Sequence, residues 1–127
     1  MQRRNLGVPF AVAAAAICFT AAPAAGADEC SVIMPTTDRL GAVFSAISSS
    51  GPPPYVAGQI RQALAPLYGL RSPAAIDLRI RSDMVASQVD NSDPYRPARP
   101  ELFASDFAKA TQLLAAAREY CAPQPGG

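Results

Sequence analysis

The sequence contains no histidine, and this absence removes several kinds of chemistry at once. A Ser-His-Asp or Cys-His catalytic arrangement needs an imidazole, and many zinc sites use imidazole nitrogens as ligands. The chain also has only three cysteines among its 127 residues, too few for a cysteine-rich metal site. We therefore predict a protein with no bound metal and no enzymatic activity.

Neither sign of charge dominates the chain, which has 11 basic and 10 acidic residues. Removing residues 1–27 would take away Arg3 and Arg4, leaving nine basic and ten acidic residues and a net charge of −1. The remaining charges are interspersed, without a block of one sign. Nucleic acids and anionic lipid surfaces attract strongly basic patches, so we predict no nucleic-acid partner.

The first 27 residues have the organisation of an export signal. Arg3 and Arg4 form a positive start, residues 8–22 are apolar, and a run of small residues ends at Ala27, just before Asp28. Prolines shorten the apolar run below the roughly 20 residues that a membrane-spanning helix needs. The pattern predicts a signal peptide over 1–27, cleaved between Ala27 and Asp28. It also predicts secretion or a cell-envelope location, without stable membrane insertion.

Cysteine positions support the same compartment. Cys18 would leave with the signal, so that the mature chain keeps only Cys30 and Cys121. An even pair in an exported domain typically forms a disulfide. We predict a Cys30–Cys121 bridge that joins the two ends of the domain and stabilises it by about 4 to 5 kcal/mol.

Proline and glycine divide residues 28–127 into four amphipathic segments of one domain, followed by a short disordered tail. The first is predicted from about Pro35 to Ser49, and the second begins at Pro54 or Tyr55. The third follows an N-cap at Ser72, and the last starts between 100 and 105 and carries Cys121 on its apolar face. The predicted fold is all-α, a small bundle of about four helices closed by one disulfide.

The third segment also permits a different interpretation. Its apolar residues alternate with charged ones over 76–81, as in a half-buried strand. We favour a helix because the chain offers such a strand no obvious partner.

Candidate binding residues are Tyr55, Tyr68 and Met84, since tyrosine and methionine can line a ligand site or ligate haem iron. Tyrosine on a small helical domain is also a common half-buried packing residue. Pro52-Pro53-Pro54-Tyr55 matches the motif bound by WW domains, but a stiff linker accounts for it more simply.

Carboxylates provide the other candidates. They could serve acid–base hydrolysis, and they are Asp28, Glu29, Asp90, Asp93, Glu101 and Glu119. The loop over 90–93 has oxygen ligands suited to calcium, yet it lacks the glycine and the closing glutamate of an EF-hand. Asx turns explain the same residues without a metal.

An export signal, a cysteine soon after it, proline-started helices and a last helix that ends Ala-Arg-Glu-Tyr-Cys at Cys121 together resemble the small secreted haemophore-like proteins of mycobacteria. The resemblance lies in the layout of the mature chain. It implies an all-α fold and, for some members, haem carriage through Tyr and His. The present chain has no histidine to provide that part of the ligand set.

Three functions follow from these observations. The first is an exported, non-enzymatic interaction module that binds an unknown protein. The second is a carrier of haem or another small apolar ligand held between helices. The third, a carboxylate-dependent hydrolase, has the least support.

Overall fold

The computed structural model describes residues 21–48 and 51–123, with the backbone alone for 21–27. Most of the predicted signal peptide (residues 1–20) and the end of the predicted tail (residues 124–127) lie outside the described residues. Within the described part of the chain, no helix is long and apolar enough to cross a membrane.

Four α-helices make up the fold of the described residues, so the predicted all-α bundle is confirmed. They are α1 (Ala21–Ser45), α2 (Tyr55–Leu64), α3 (Pro73–Asp90) and α4 (Pro100–Tyr120). A 3₁₀ turn, Ala65–Leu67, follows α2 directly. Helix α3 packs against both α2 and α4, and α1 covers α2 and α4 from the other side.

The core between the helices is aliphatic. Its largest fully buried apolar side chains are Ile33, Leu40, Ile60, Leu64, Leu67, Leu78 and Val85. Alanines on α3 and α4, including Ala86, Ala110 and Ala117, are also buried. Small residues at these positions let the helix backbones approach each other closely, and burial of the apolar side chains drives the packing.

The prediction that the first helix begins near Pro35 is wrong. Helix α1 runs from Ala21 to Ser45, so Pro35 lies inside it and the helix ends before Ser49. An interior proline removes one backbone hydrogen bond and costs about 3 kcal/mol. Burial of Ile33, two residues before the proline, favours continuing the helix through Pro35 because it extends the core.

Proline and glycine separate the second helix from the third, as predicted from their division of the chain. Helix α2 begins at Tyr55 and changes to the 3₁₀ turn that contains Pro66. Gly69 then has a φ of +91°, a conformation that a residue without a Cβ adopts at no steric cost. The chain turns there towards α3.

Residues 76–81 are helical, so the strand interpretation is wrong for this segment. The Ser72 side chain accepts a hydrogen bond from the backbone N–H of Ala75 at 3.3 Å, which confirms the predicted N-cap. At the other end Asn91 adopts the left-handed conformation (φ 54°, ψ 40°), and its N–H bonds to the carbonyl of Ser87. Asparagine is one of the few residues other than glycine that tolerates this position.

Helix α4 begins at Pro100, and a disulfide joins Cys121 at its C-terminal end to Cys30 in α1, with a Cα–Cα distance of 5.4 Å. The predicted pairing is therefore confirmed. The bridge fixes the early part of α1 against the end of α4. The opposite end of the bundle, where α1 ends and α4 begins, is held by other contacts.

Candidate functional site

An apolar groove with a volume of about 840 Å³ lies at the end of the bundle opposite the disulfide. The residues after α1 and the end of α3 form one part of it, and the start of α4 forms the other. Its lining among the described residues consists of Ile47, Ser48, Gly51, Pro52, Gln88, Val89, Ala98, Arg99, Pro100, Phe103, Ala104, Phe107 and Ala108. Pockets that bind small molecules typically have volumes of about 300 to 1,000 Å³.

Two aromatic rings line the groove from α4. Phe103 and Phe107 lie one turn apart on α4, and their rings stack with centroids 5.6 Å apart. Phe107 also meets the buried ring of Phe44 edge-on at 5.3 Å, which anchors it to α1. These contacts fix the ring positions in the chain as it stands. The groove therefore presents a preformed apolar wall.

Gln88, buried near the end of α3, holds the loop that forms one side of the groove. Its amide nitrogen donates to the carbonyl of Arg96 at 3.0 Å, and its amide oxygen accepts the backbone N–H of Arg99 at 3.0 Å. The Asn91 side chain accepts the N–H of Ala98 at 2.8 Å. These side-chain hydrogen bonds tie residues 96–99 of the loop to the end of α3.

Asp106 anchors the same loop from α4. This carboxylate is only 2% exposed, and Arg96 reaches its two oxygens at 3.0 and 3.3 Å. Arg81, on α3, donates a further hydrogen bond to this carboxylate at 3.3 Å. A buried carboxylate is retained only when it is paired and hydrogen-bonded. Here the pairing joins α3, the 91–99 loop and α4 beside the groove.

Arg99 contributes the positive charge at the edge of the groove. It is the N-cap residue of α4, and no side-chain hydrogen bond caps the helix there. Its guanidinium lies 3.9 Å from the carboxylate of Glu101, and the two side chains are 63% and 73% exposed. At this distance and exposure the pair contributes little stability. The Arg99 guanidinium can therefore turn towards a ligand at small cost.

The predicted binding residues do not line this groove. Tyr55 starts α2 and Tyr68 follows the 3₁₀ turn, and both side chains are more than half exposed. Tyr68 stacks instead under Arg79, whose guanidinium carbon is 4.6 Å from the ring centroid. Met84 lies in the middle of α3 and is half-buried. A second, smaller groove between α1 and α2 contains none of the three residues either.

Carboxylates named from the sequence are engaged separately and do not form a paired site among the residues described. Asp90 binds Arg61 at 2.7 Å, and this hydrogen bond lowers the pKa of Asp90 and raises that of Arg61. Asp90 also accepts the N–H of Ser92, and Asp93 accepts that of Tyr95. These bonds confirm the predicted Asx turns in the loop. In the described ranges no group of three or more acidic, cysteine or histidine residues gathers to hold a metal ion.

Glu29 has a structural role that the sequence does not reveal. Its two carboxylate oxygens accept the backbone N–H groups of Arg71 and Ser72, at 2.9 and 3.1 Å. The bond from Arg71 is the main reason that the pKa of Glu29 is lowered. The contact joins α1 to the start of α3, next to the disulfide. Asp28, Glu101 and Glu119 are exposed.

The predicted cleavage site lies inside α1, because the helix continues from Ala21 through Ala27 and Asp28. Cleavage there would leave Asp28 and Glu29 in the first turn of the shortened helix. Acidic residues are favourable at that end of a helix.

Sequence reasoning missed the groove, Asp106 and Gln88. The periodicity of α4 places Phe103 and Phe107 on its apolar face. It does not show whether residues on that face pack in the core or line a groove. Asp106 lies outside the apolar stripe of α4. The one signal in the sequence that it is near the core is its spacing of three residues from Phe103 and four from Ala110. No known protein family, curated protein or solved structure matches this chain.

Proposed function

We propose that this protein is an exported, non-enzymatic binding protein that takes a small apolar ligand into the groove beside Phe103 and Phe107. The single observation that supports the proposal is the groove itself. It is mostly apolar, it has the volume of a ligand site, and hydrogen bonds and ring contacts hold both of its sides in place. A preformed site loses little conformational entropy when it binds.

Export is proposed on the sequence pattern of residues 1–27 together with the Cys30–Cys121 bridge. Disulfides form and persist mainly in oxidising compartments. A chain held in this way suits the cell envelope or the extracellular space. The resemblance to haemophore-like proteins is consistent with that location and remains a prediction.

Haem is a poorer fit to this groove than a ligand held by apolar contact alone. Axial ligation of haem iron in proteins uses histidine, cysteine, methionine or tyrosine. None of these residue types is among the described residues that line the groove. Tyr55 and Tyr68 lie elsewhere on the surface. Our proposal therefore concerns a ligand that needs no coordination to a metal.

The test uses Nile red, an uncharged dye whose emission increases and shifts to the blue in apolar surroundings. The chain should enhance this emission saturably, and Ala104→Gln should weaken the response by placing a polar side chain in the groove. Ala104 is exposed on α4, so this substitution leaves the core intact. Ala115→Gln, on the same helix and outside the groove lining, is the matched control.

Circular dichroism should show the same helix content in both variants. The proposal fails if the dye does not respond to the unmodified chain. It also fails if the Ala104 and Ala115 variants bind the dye equally well.

A further inference from the structure

We propose that the ligand is a free long-chain carboxylic acid, with its chain on Phe103 and Phe107 and its carboxylate at Arg99. This inference rests on the proposed function and specifies the ligand class. It follows from two independent features of the groove, an extended apolar wall and one cationic side chain at its edge.

The apolar wall suits a flexible chain. The stacked Phe103 and Phe107 rings extend along α4 for one turn, and alanines and prolines continue the surface on both sides. Each of these side chains contributes apolar area without a hydrogen-bond donor or acceptor. An alkyl chain can follow such a surface by rotating its single bonds. Its burial is favourable in proportion to its length.

Arg99 is a poor choice for stability at its position, which points to a role in binding. A positive side chain at a helix N-terminus is unfavourable in the field of the helix dipole, and Arg99 provides no capping bond. Serine, threonine or aspartate would serve the helix better there. A side chain that weakens local structure without an evident structural return commonly marks a functional site.

The backbone at Arg99 is fixed, whereas its side chain is 63% exposed. The N–H of Arg99 is held by Gln88, and its carbonyl accepts the first helical bond from Phe103 at 2.9 Å. Because its exposed pair with Glu101 at 3.9 Å is weak, the guanidinium can exchange that partner for the carboxylate of a ligand and form paired hydrogen bonds with it.

The positive charge of Arg99 makes the groove selective for the charge of the ligand's head group. Among the described residues that line the groove, Arg99 has the one charged side chain. The carboxylate of Glu101, which is not part of that lining, lies 3.9 Å from the Arg99 guanidinium and is 73% exposed. The neighbouring Gln88 amide already bonds to backbone groups of the loop. An anionic head group is therefore favoured over an uncharged or a cationic one on the same alkyl chain.

The experiment measures displacement of Nile red by three compounds that each carry a 12-carbon chain, used at concentrations where they do not aggregate: dodecanoate, dodecanol and dodecyltrimethylammonium. We expect dodecanoate to bind most tightly. Arg99→Gln should weaken dodecanoate by about three- to fivefold, as for an exposed ion pair, and leave dodecanol unchanged. Arg39→Gln, at the smaller groove between α1 and α2, is the control and should change neither. From decanoate to tetradecanoate, affinity should rise by up to about 15-fold per two carbons, since each buried CH₂ contributes about 0.8 kcal/mol.

The outcomes separate the two proposals. If Nile red and dodecanol bind but dodecanoate has no advantage, or if Arg99→Gln leaves that advantage intact, the carboxylic-acid inference is wrong while the apolar-ligand function stands. If neither the dye nor any of the three compounds binds, both fail together. Binding to anionic phospholipid vesicles in a flotation assay, without binding of free dodecanoate, would also overturn this inference.

Discussion

Removing the Cys30–Cys121 bridge should lower the free energy of unfolding by about 4.6 kcal/mol. The two cysteines are 91 residues apart, so the bridge closes nearly the whole described domain into one loop. On the chain-entropy relation, a loop of that length restricts the unfolded state by about 15.5 cal/mol/K, which gives this value at 25 °C. A small domain typically has only about 5 to 15 kcal/mol of net stability. Loss of the bridge should therefore leave the domain marginal.

The assay is urea denaturation followed by circular dichroism, on the unmodified chain and on Cys30→Ala/Cys121→Ala. The midpoint should fall, and the slope of free energy against urea should rise because the unlinked unfolded chain exposes more surface. The unmodified chain in dithiothreitol serves as the control, since it loses the bridge without a change of side chain.

Agreement between the reduced chain and the double variant would assign the effect to the bridge. A loss below about 1 kcal/mol in both would refute the reasoning. It would mean that the unlinked unfolded chain already keeps its two ends close together, so that the bridge restricts it little further.

Three further predictions concern single residues. Asp106→Asn should destabilise the fold by about 2 to 4 kcal/mol, because two arginines lose their buried partner; urea denaturation measures this, and an unchanged midpoint would contradict it. Ser82→Ala should raise the free energy of unfolding by about 1 kcal/mol, and with it the melting temperature. The reason is that the Ser82 hydroxyl is fully buried and has no hydrogen-bond partner among the described residues. A lower melting temperature would count against that account. Glu29 and Asp90 have lowered pKa values in the fold. Their contribution to the free energy of unfolding is therefore present above their ordinary pKa values of 4.5 and 3.8, and it is lost as the pH falls below them. Melting temperature against pH should therefore decline in acid, and Glu29→Gln should make that decline shallower; an equally steep decline would contradict the assignment.

Local chemistry explains why much of the fold is predictable. Ser72 and Pro73 are the preferred N-cap and first helical residues, and the start of α3 follows them. Gly69 turns the chain because it can take a positive φ. In the same way, periodic apolar residues identified α4. The two cysteines that remain after predicted removal of the signal peptide identified the bridge. Each of these signals acts within a few residues or through a single bond.

The start of α1 was not predictable on the same grounds. Pro35 locally favours a helix start, but Ile33 is buried against the rest of the core and the neighbouring Cys30 is bonded to α4. These tertiary contacts outweigh the local preference of the proline. The position of Asp106 beside Arg81 and Arg96 likewise depends on three segments that are distant in sequence.

By itself, the sequence determined the helical class, most of the helix boundaries and the pairing of Cys30 with Cys121, because these depend on local periodicity, capping and the count of cysteines. Only the tertiary structure decided where the apolar groove lies. The groove exists because the residues after α1, the 91–99 loop and the first turns of α4 meet at one end of the bundle. No local sequence pattern predicts the groove, because it results from how three separate segments pack on a shared core.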